Sequence, residues 1–316
     1  MTTNLPILTI TLNPALDIST GVGKIVPGPK LRCTEPTYDP GGGGLNVSRA
    51  IVALGGNSLA LVALGGVTGK RLAALLKAEG VDFEAISAPG DTRYSMTVTE
   101  GTSGLQYRFV LPGPVWQEAD QVRVFDRLAS EAGRGGFAVI SGSQPPGMAA
   151  DFPERMAEAL TGIRVVLDTS GPALVQAVTH PIPDLAVLRM DSEEAEALAG
   201  DPLESRKDTA DFAQSLVRKG AAQQVIIARG ADGSVLADSD KRLFSKAALV
   251  PVKSKVGAGD SFVGGYVLAL AQGDAVERAL ARGVAAASAA VMTDPTELCR
   301  RADAERLVAE CLVSAV

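Results

Sequence analysis

Aromatic side chains make up only 4% of the 316 residues, cysteine occurs three times and histidine once. The lone histidine, His180 in a Thr-His-Pro-Ile-Pro turn, leaves a Ser-His-Asp triad or a histidine-rich metal site without support, and it reads as a solvent-facing loop residue. Cys33, Cys299 and Cys311 are odd in number and far apart, so they mark neither a disulfide framework nor a CxxC metal pair. They read as reduced thiols of a cytoplasmic protein. No apolar run approaches membrane-spanning length, Ala285 to Met292 being far too short, and the N-terminus lacks the basic region, apolar core and cleavage site of a secretory signal. A net charge of −6 offers nucleic acid and anionic membranes no general attraction, so any phosphate must be held by a local cluster of basic residues.

What is abundant is small and aliphatic. Hydrophobic residues reach 46% and charged ones 21%, with Ala, Gly, Val and Leu dominant, a composition suited to helices packed closely on a buried parallel sheet. Strand and helix signals alternate along the chain. Ile7 to Leu12, Leu59 to Leu64, Val81 to Ile86, Phe137 to Ile140, Arg164 to Leu167, Leu185 to Leu188 and Val225 to Ala228 read as strands. Lys70 to Glu79, Glu118 to Ala132, Ser192 to Leu198 and Thr209 to Lys219 read as helices, and two or three Ala-rich helices close the chain. Ser95 to Glu100 and Gln106 to Leu111, joined by Gly101-Thr102-Ser103-Gly104, form a hairpin signal that interrupts the series as a candidate lid. With no repeat or linker to divide the chain, residues 1–316 are expected to form one α/β domain: a mostly parallel sheet, helices on both faces, and a small β lid inserted from about 14–40 and 93–111.

Two glycine-rich stretches carry the chemistry. Val256-Gly257-Ala258-Gly259-Asp260-Ser261 empties into an apolar helix, where unpaired N–H groups favour an anion. Asp260 would repel a phosphate there unless it accepts a proton from an attacking hydroxyl; otherwise it is a helix cap. Gly41-Gly42-Gly43-Gly44-Leu45-Asn46 runs directly into another apolar helix, an expensive ordering of flexible chain that suggests a ligand lying flush on the backbone, with the Asn46 amide bonding its hydroxyls. Asp17, beyond the first strand, could hold sugar hydroxyls or brace the Asn-Pro-Ala-Leu-Asp bend. Lys30 and Arg32 alternate with Leu31 and Cys33 and should share a face of a short strand, either as a phosphate grip or as a solvated edge. Gly65-Gly66-Val67-Thr68-Gly69-Lys70-Arg71 fails as a Walker A loop, and no GxGxxG follows a strand.

Together, Gly-Gly-Gly-Gly-Leu-Asn and Val-Gly-Ala-Gly-Asp-Ser resemble the two signatures of the ribokinase-like PfkB sugar kinases. Thr11 to Asp17, Pro29 to Cys33, Tyr107-Arg108-Phe109, Ser141-Gly142-Ser143 with Pro145-Pro146-Gly147, and Asp168-Thr169-Ser170-Gly171 extend the resemblance over the whole chain, toward the phosphofructokinase branch. The four-glycine run is most similar to the minor ATP-dependent 6-phosphofructokinases; many 1-phosphofructokinases and tagatose-6-phosphate kinases carry lysine where Gly43 stands.

The resemblance implies a ribokinase-like α/β kinase that uses ATP and Mg2+ to phosphorylate the 1-hydroxyl of fructose 6-phosphate, with 1-phosphofructokinase or tagatose-6-phosphate kinase as the alternative and a non-catalytic sugar-phosphate sensor as a further one. It implies Asp260 as the base and the N–H groups of Gly257, Ala258 and Gly259 as the cradle for the migrating phosphoryl. Asp17, Gly42, Gly43 and Asn46 would hold the sugar, and Lys30, Arg32, Arg93 and Ser143 its 6-phosphate. Arg189, Ala228, Gly230, Gly233, Ser254 and Val256 would line the nucleotide, with Asp191, Glu194 and, through water, Asp168 near Mg2+. A homodimer closed through the β lid is also implied. Arg189-Met190-Asp191, Ala228 and Thr293-Asp294-Pro295-Thr296 depart from the usual pattern, and all three fall on the nucleotide side.

Overall fold

The computed structural model describes residues 4–316. In chain order the elements are β1 (Ile7–Thr11), β2 (Ala15–Val22), β3 (Thr37–Gly41), α1 (Gly43–Ala53), β4 (Leu59–Leu64), α2 (Gly66–Ala78), β5 (Asp82–Ser87), β6 (Arg93–Glu100), β7 (Gln106–Val110) and α3 (Glu118–Ala129). They continue with β8 (Phe137–Ser141), α4 (Phe152–Ala159), β9 (Arg164–Asp168), α5 (Gly171–Thr179), β10 (Val187–Met190), α6 (Ser192–Ala199), α7 (Arg206–Arg218) and β11 (Gln224–Ala228). Last come β12 (Gly233–Ala237), β13 (Arg242–Lys246), α8 (Ala258–Ala271), α9 (Val276–Ala290), α10 (Arg301–Leu307) and β14 (Val313–Ala315).

Ten strands form one sheet in the order β14, β13, β12, β11, β10, β9, β8, β1, β4, β5. From β11 to β5 every pairing is parallel, and β12 to β14 complete it antiparallel. Every residue of β1 and β8 is buried, as expected for strands covered on both faces. Alternation along β1 sends Ile7 to a core shared with Val47, Phe262 and Tyr266, and Leu8 and Ile10 to a second core with Trp116, Phe152 and Leu174. The chain leaves β1 in one direction through β4 and β5 and in the other through β8 to β11, so the carboxyl end of β1 is a topological switch point, where open α/β sheets bind ligands.

A separate four-stranded sheet, in the order β3, β2, β6, β7, is built from the two segments that flank α1, β4, α2 and β5. All five residues of β7 are exposed. Among the described residues no helix is long and apolar enough to cross a membrane, and the three cysteines are free thiols.

Some expectations need correction. Lys30 and Arg32 do not lie on a strand; they occupy an exposed irregular segment between β2 and β3. Asp17 is not in a bend beyond β1 but inside β2, opposite Asp39 on β3 and Ser95 on β6. The strand expected from Leu185 begins two residues later, after a turn in which Asp184 has φ of 55°. Helix α2 starts at Gly66 rather than Lys70, because its first turn packs against the Gly90–Thr92 loop so closely that a Cβ on Gly66 would strike Asp91. The three-residue strand β14 is too short to show a pattern.

Candidate active site

Helix α8 begins at Gly257, whose φ of 74° only glycine adopts freely; a Cβ there would also lie 2.5 Å from Leu298. Neither Gly257 nor Gly259 has a backbone acceptor for its N–H among the described residues, and Ala258 reaches only Lys255 O at 3.4 Å. These donors therefore face the space beyond the helix end. Asp260 stands in that first turn, and ten residues of the helix behind it are buried, including Phe262, Tyr266 and Val267. The turn is rooted in the core rather than carried on a mobile loop.

Helix α1 brings the other glycine stretch to the same place. Asn46 Nδ2 donates to Asp260 Oδ2 at 2.9 Å, joining residues 214 positions apart. Gly264 makes the approach of the helices possible, since a Cβ there would press on Ala50 at 3.0 Å. The four-glycine run has a structural reason that the sequence reading did not contain. A Cβ on Gly43 would fall 2.4 Å from Ser141 Oγ and 2.7 Å from Gly142 N, and one on Gly41 would fall on the Asp17 carboxylate. The run is flush against the protein's own strand ends, at the switch point between β1 and β8.

Around Asp260 the charges are mixed. Although part of the residue is reachable by solvent, protein atoms crowd its carboxyl; this desolvation, then the Asp168 carboxylate, push it up to about 7, against the Asn46 hydrogen bond and Arg189. Asp17 is raised to about 6, chiefly by burial and against the pull of Arg93, Arg49 and Arg108. Arg189, from β10, bonds Asp168 Oδ1 at 3.1 Å, and its guanidinium lies 3.1 Å from where a Cβ on Gly259 would be. Its Nε is a buried donor with no hydrogen-bond partner among the described residues, although the guanidinium as a whole is paired with Asp168.

The proposed phosphate residues fall in two sets. Arg93 Nε donates to Asn13 O at 3.2 Å, and Asn13 Nδ2 donates to Ser143 Oγ at 3.2 Å, so one residue at the end of β1 ties Arg93 to Ser143. In the sequence Asn13 is only the first residue of the Asn-Pro-Ala-Leu-Asp bend, and nothing there signals this role. Lys30 and Arg32 have no ion pair or hydrogen bond among the described residues.

On the nucleotide side, Gly230 and Gly233 bracket a tight turn after Ala228, pinned by Arg229, which donates to Leu203 O, Glu204 O and Asp232. Gly233 is required by packing, since a Cβ would lie 2.0 Å from Ser245 O. Ser254 Oγ accepts from Val256 N at 3.1 Å and shapes the approach to α8. The carboxylates proposed for Mg2+ are already committed in part. Asp191 and Glu194 form a reciprocal capping box on α6, and the Asp168 oxygens bond Arg189 and Ser141. Among the described residues no three His, Cys, Asp or Glu side chains are grouped to hold a metal. This donor set fits an Mg2+ that arrives with phosphate oxygens and keeps waters, not a resident ion in a protein cage.

The model of the pfkB family carbohydrate kinases matches residues 3–301. The chain is 40% identical over 303 residues to the ATP-dependent 6-phosphofructokinase isozyme 2 of Mycobacterium tuberculosis, covering 95% of this chain and 88% of that one. It is similar to the crystal structure of phosphofructokinase-2 from Escherichia coli in complex with fructose-6-phosphate, with a TM-score of 0.89, 36% identity and coverage of 97% and 99%. A second structure of that E. coli protein, at 37% identity, TM-score 0.89 and the same coverage, is of a tetrameric inhibited form. Arabidopsis thaliana ribokinase, at 20% identity and a TM-score of 0.72 over 96% of this chain and 99% of that one, shares the fold.

Proposed function

The chain belongs to the pfkB family of carbohydrate kinases, phosphotransferases on the ribokinase-like fold, and we propose that it phosphorylates the 1-hydroxyl of fructose 6-phosphate from MgATP, giving fructose 1,6-bisphosphate and ADP. The observation that carries this reading is the meeting of the two glycine stretches: a desolvated carboxyl, Asp260, bonded at 2.9 Å to Asn46 beside the open N–H groups of a core-rooted helix.

The chemistry follows from those positions. Asp260 takes the proton of the 1-hydroxyl as that oxygen's lone pair forms the bond to phosphorus, and the bond to the ADP oxygen breaks with its electron pair leaving on ADP. A carboxyl raised to about 7 is poised to accept that proton near neutral pH while remaining ionised often enough to act. The N–H groups of Gly257, Ala258 and Gly259 and the Arg189 guanidinium meet the negative charge spread over the migrating group. Mg2+, when bound with the nucleotide, neutralises phosphate charge; Asp191, Glu194 and, through water, Asp168 are the residues available to hold it. Asp17, Asn46 and the backbone at Gly42 and Gly43 orient the sugar, while Arg93 and Ser143 receive its 6-phosphate. The turn at Ala228, Gly230 and Gly233, with Ser254 and Val256, lines the nucleotide.

We read 1–316 as one domain with the small sheet as its lid. Tyr94, Tyr107, Phe109 and Val110 expose apolar surface on that sheet, which favours a homodimer through it. In such a dimer the free cations Lys30 and Arg32 would close on a sugar phosphate that a single chain leaves them without. Unpaired thiols agree with a cytoplasmic setting.

The test is ADP release under saturating MgATP with fructose 6-phosphate, fructose 1-phosphate and tagatose 6-phosphate. Fructose 6-phosphate is expected to give the highest kcat/KM; a higher value for either other sugar moves the chain to a neighbouring kinase activity, and binding without ADP release makes it a sensor.

A further inference from the structure

Asn46 acts on Asp260 only if its amide is turned the right way, and nothing in the amide itself decides that. Oδ1 and Nδ2 are nearly the same size, so the choice falls to the neighbours. Asn46 Oδ1 accepts from Arg49 NH1 at 3.2 Å, one helical turn on in α1, while Nδ2 donates to Asp260 Oδ2 at 2.9 Å. Turning the amide over would set its oxygen against the carboxylate and its NH2 against the guanidinium, leaving two charged groups facing their own kind of partner.

Arg49 is itself held from three sides. Its Nε and NH2 form a fork on the Glu79 carboxylate at 2.6 and 2.9 Å, and its side chain is 9% exposed. Its NH1 also donates to Pro40 O on β3 at 2.8 Å and reaches Thr296 O at 3.4 Å. Thr296 has φ of 71°, unusual for a β-branched residue, and its hydroxyl donates to Asp39 Oδ2 at 2.7 Å, fastening the loop after α9 to the small sheet. The planar guanidinium thus has little freedom to follow a turning amide.

We infer that Arg49 is a positioning residue for the proton acceptor: it locks the Asn46 amide with nitrogen toward the site, so that one Nδ2 hydrogen holds Asp260 and the other is left for the sugar. This rests on the reading of Asp260 as the base. The charged and polar groups that bear on Asp260 are Asp168 from β9, Arg189 from β10, Asp17 from β2 and Asn46; those around Arg49 are Glu79, Asp39 and Asp17. Asp17 stands in both sets, so the Asn46→Ala background is what separates the route through the amide from one through Asp17.

The experiment is a cycle of Arg49→Met and Asn46→Ala read by the pH dependence of kcat/KM. Arg49→Met should move the acid limb upward by about one pH unit, because the base loses a donor that favours its charged form. The same substitution in the Asn46→Ala background should move it no further. Glu79→Gln, which breaks the fork but leaves NH1 on the amide, should lower the melting temperature and leave the limb in place. Should Arg49→Met not fold, Arg49→Lys takes its place in the cycle, since a point charge without the planar fork frees the amide. A limb that stays put in the folded Arg49 variant, or a shift that persists in full without Asn46, overturns the role of Arg49. An inactive wild type, or an acid limb retained in Asp260→Asn, overturns the reading beneath it.

Discussion

The floor of the site and the small sheet proposed as its lid are built to opposite standards. At the floor, α1 and α8 meet through glycines whose missing Cβ atoms leave room for neighbouring side-chain and backbone atoms, and Gly44, Leu45, Val47, Ser48, Ala50 and Ile51 are buried. In the lid, β7 is exposed throughout, and Lys30 and Arg32 lie on an irregular segment with no polar partner among the described residues. The contrast separates two tasks. A proton acceptor and an anion cradle must be held to within a fraction of an ångström, which packing into a core provides; a phosphate grip must open and close, which packing would prevent.

Four substitutions sharpen or break this division. Asp260→Asn should cut kcat by about 10²- to 10⁴-fold with both substrates still bound, measured by ADP release and by calorimetric titration. The same variant should be more stable than wild type at pH 8. Asp260 is near 3.8 when unfolded and about 7 when folded, so its ionisation disfavours the native state, with no penalty below pH 4 and the full one above pH 7. The gain from Asn should therefore grow as pH rises through that window, to at most about 4 kcal/mol, and denaturant melts at pH 5 and 8 would expose its absence. Gly43→Ala should cost about 1–3 kcal/mol of stability by forcing β8 and α1 apart, with activity falling in parallel. Lys30→Ala and Arg32→Ala should each raise the KM for the sugar phosphate about 10- to 100-fold with the melting temperature unchanged. If these two instead destabilise the protein, the lid is structural and the division fails.

Much of this was legible in the chain itself. Gly257 before an apolar helix announced a buried helix start with open N–H groups, and Asp260 stood out because a carboxylate is unexpected there without a chemical task. The alternation of strands and helices was also readable, as was the hairpin, expected from Ser95 to Glu100 and Gln106 to Leu111 and found as Arg93–Glu100 and Gln106–Val110, since they rest on local periodicity. Asn13 and Arg49 were not. Their roles depend on partners far along the chain: Ser143 and Arg93 for the first, Glu79 and Thr296 for the second. The four glycines were seen, but their packing on the protein's own strand ends was not, because a close approach looks the same in sequence whether a ligand or the protein's own atoms are on the other side.

The sequence by itself determined the alternation that makes a parallel sheet, the two glycine turns that open apolar helices, and the acidic residue set in one of them, because these depend on side-chain size, charge and spacing over a few residues. Only the tertiary structure decided that Asn46 touches Asp260, that Arg49 bonds the same amide, and that Lys30 and Arg32 lack a polar partner among the described residues. Contacts of that kind are set by the order of strands in the sheet, which brings residue 46 to residue 260 through the summed packing of everything between them.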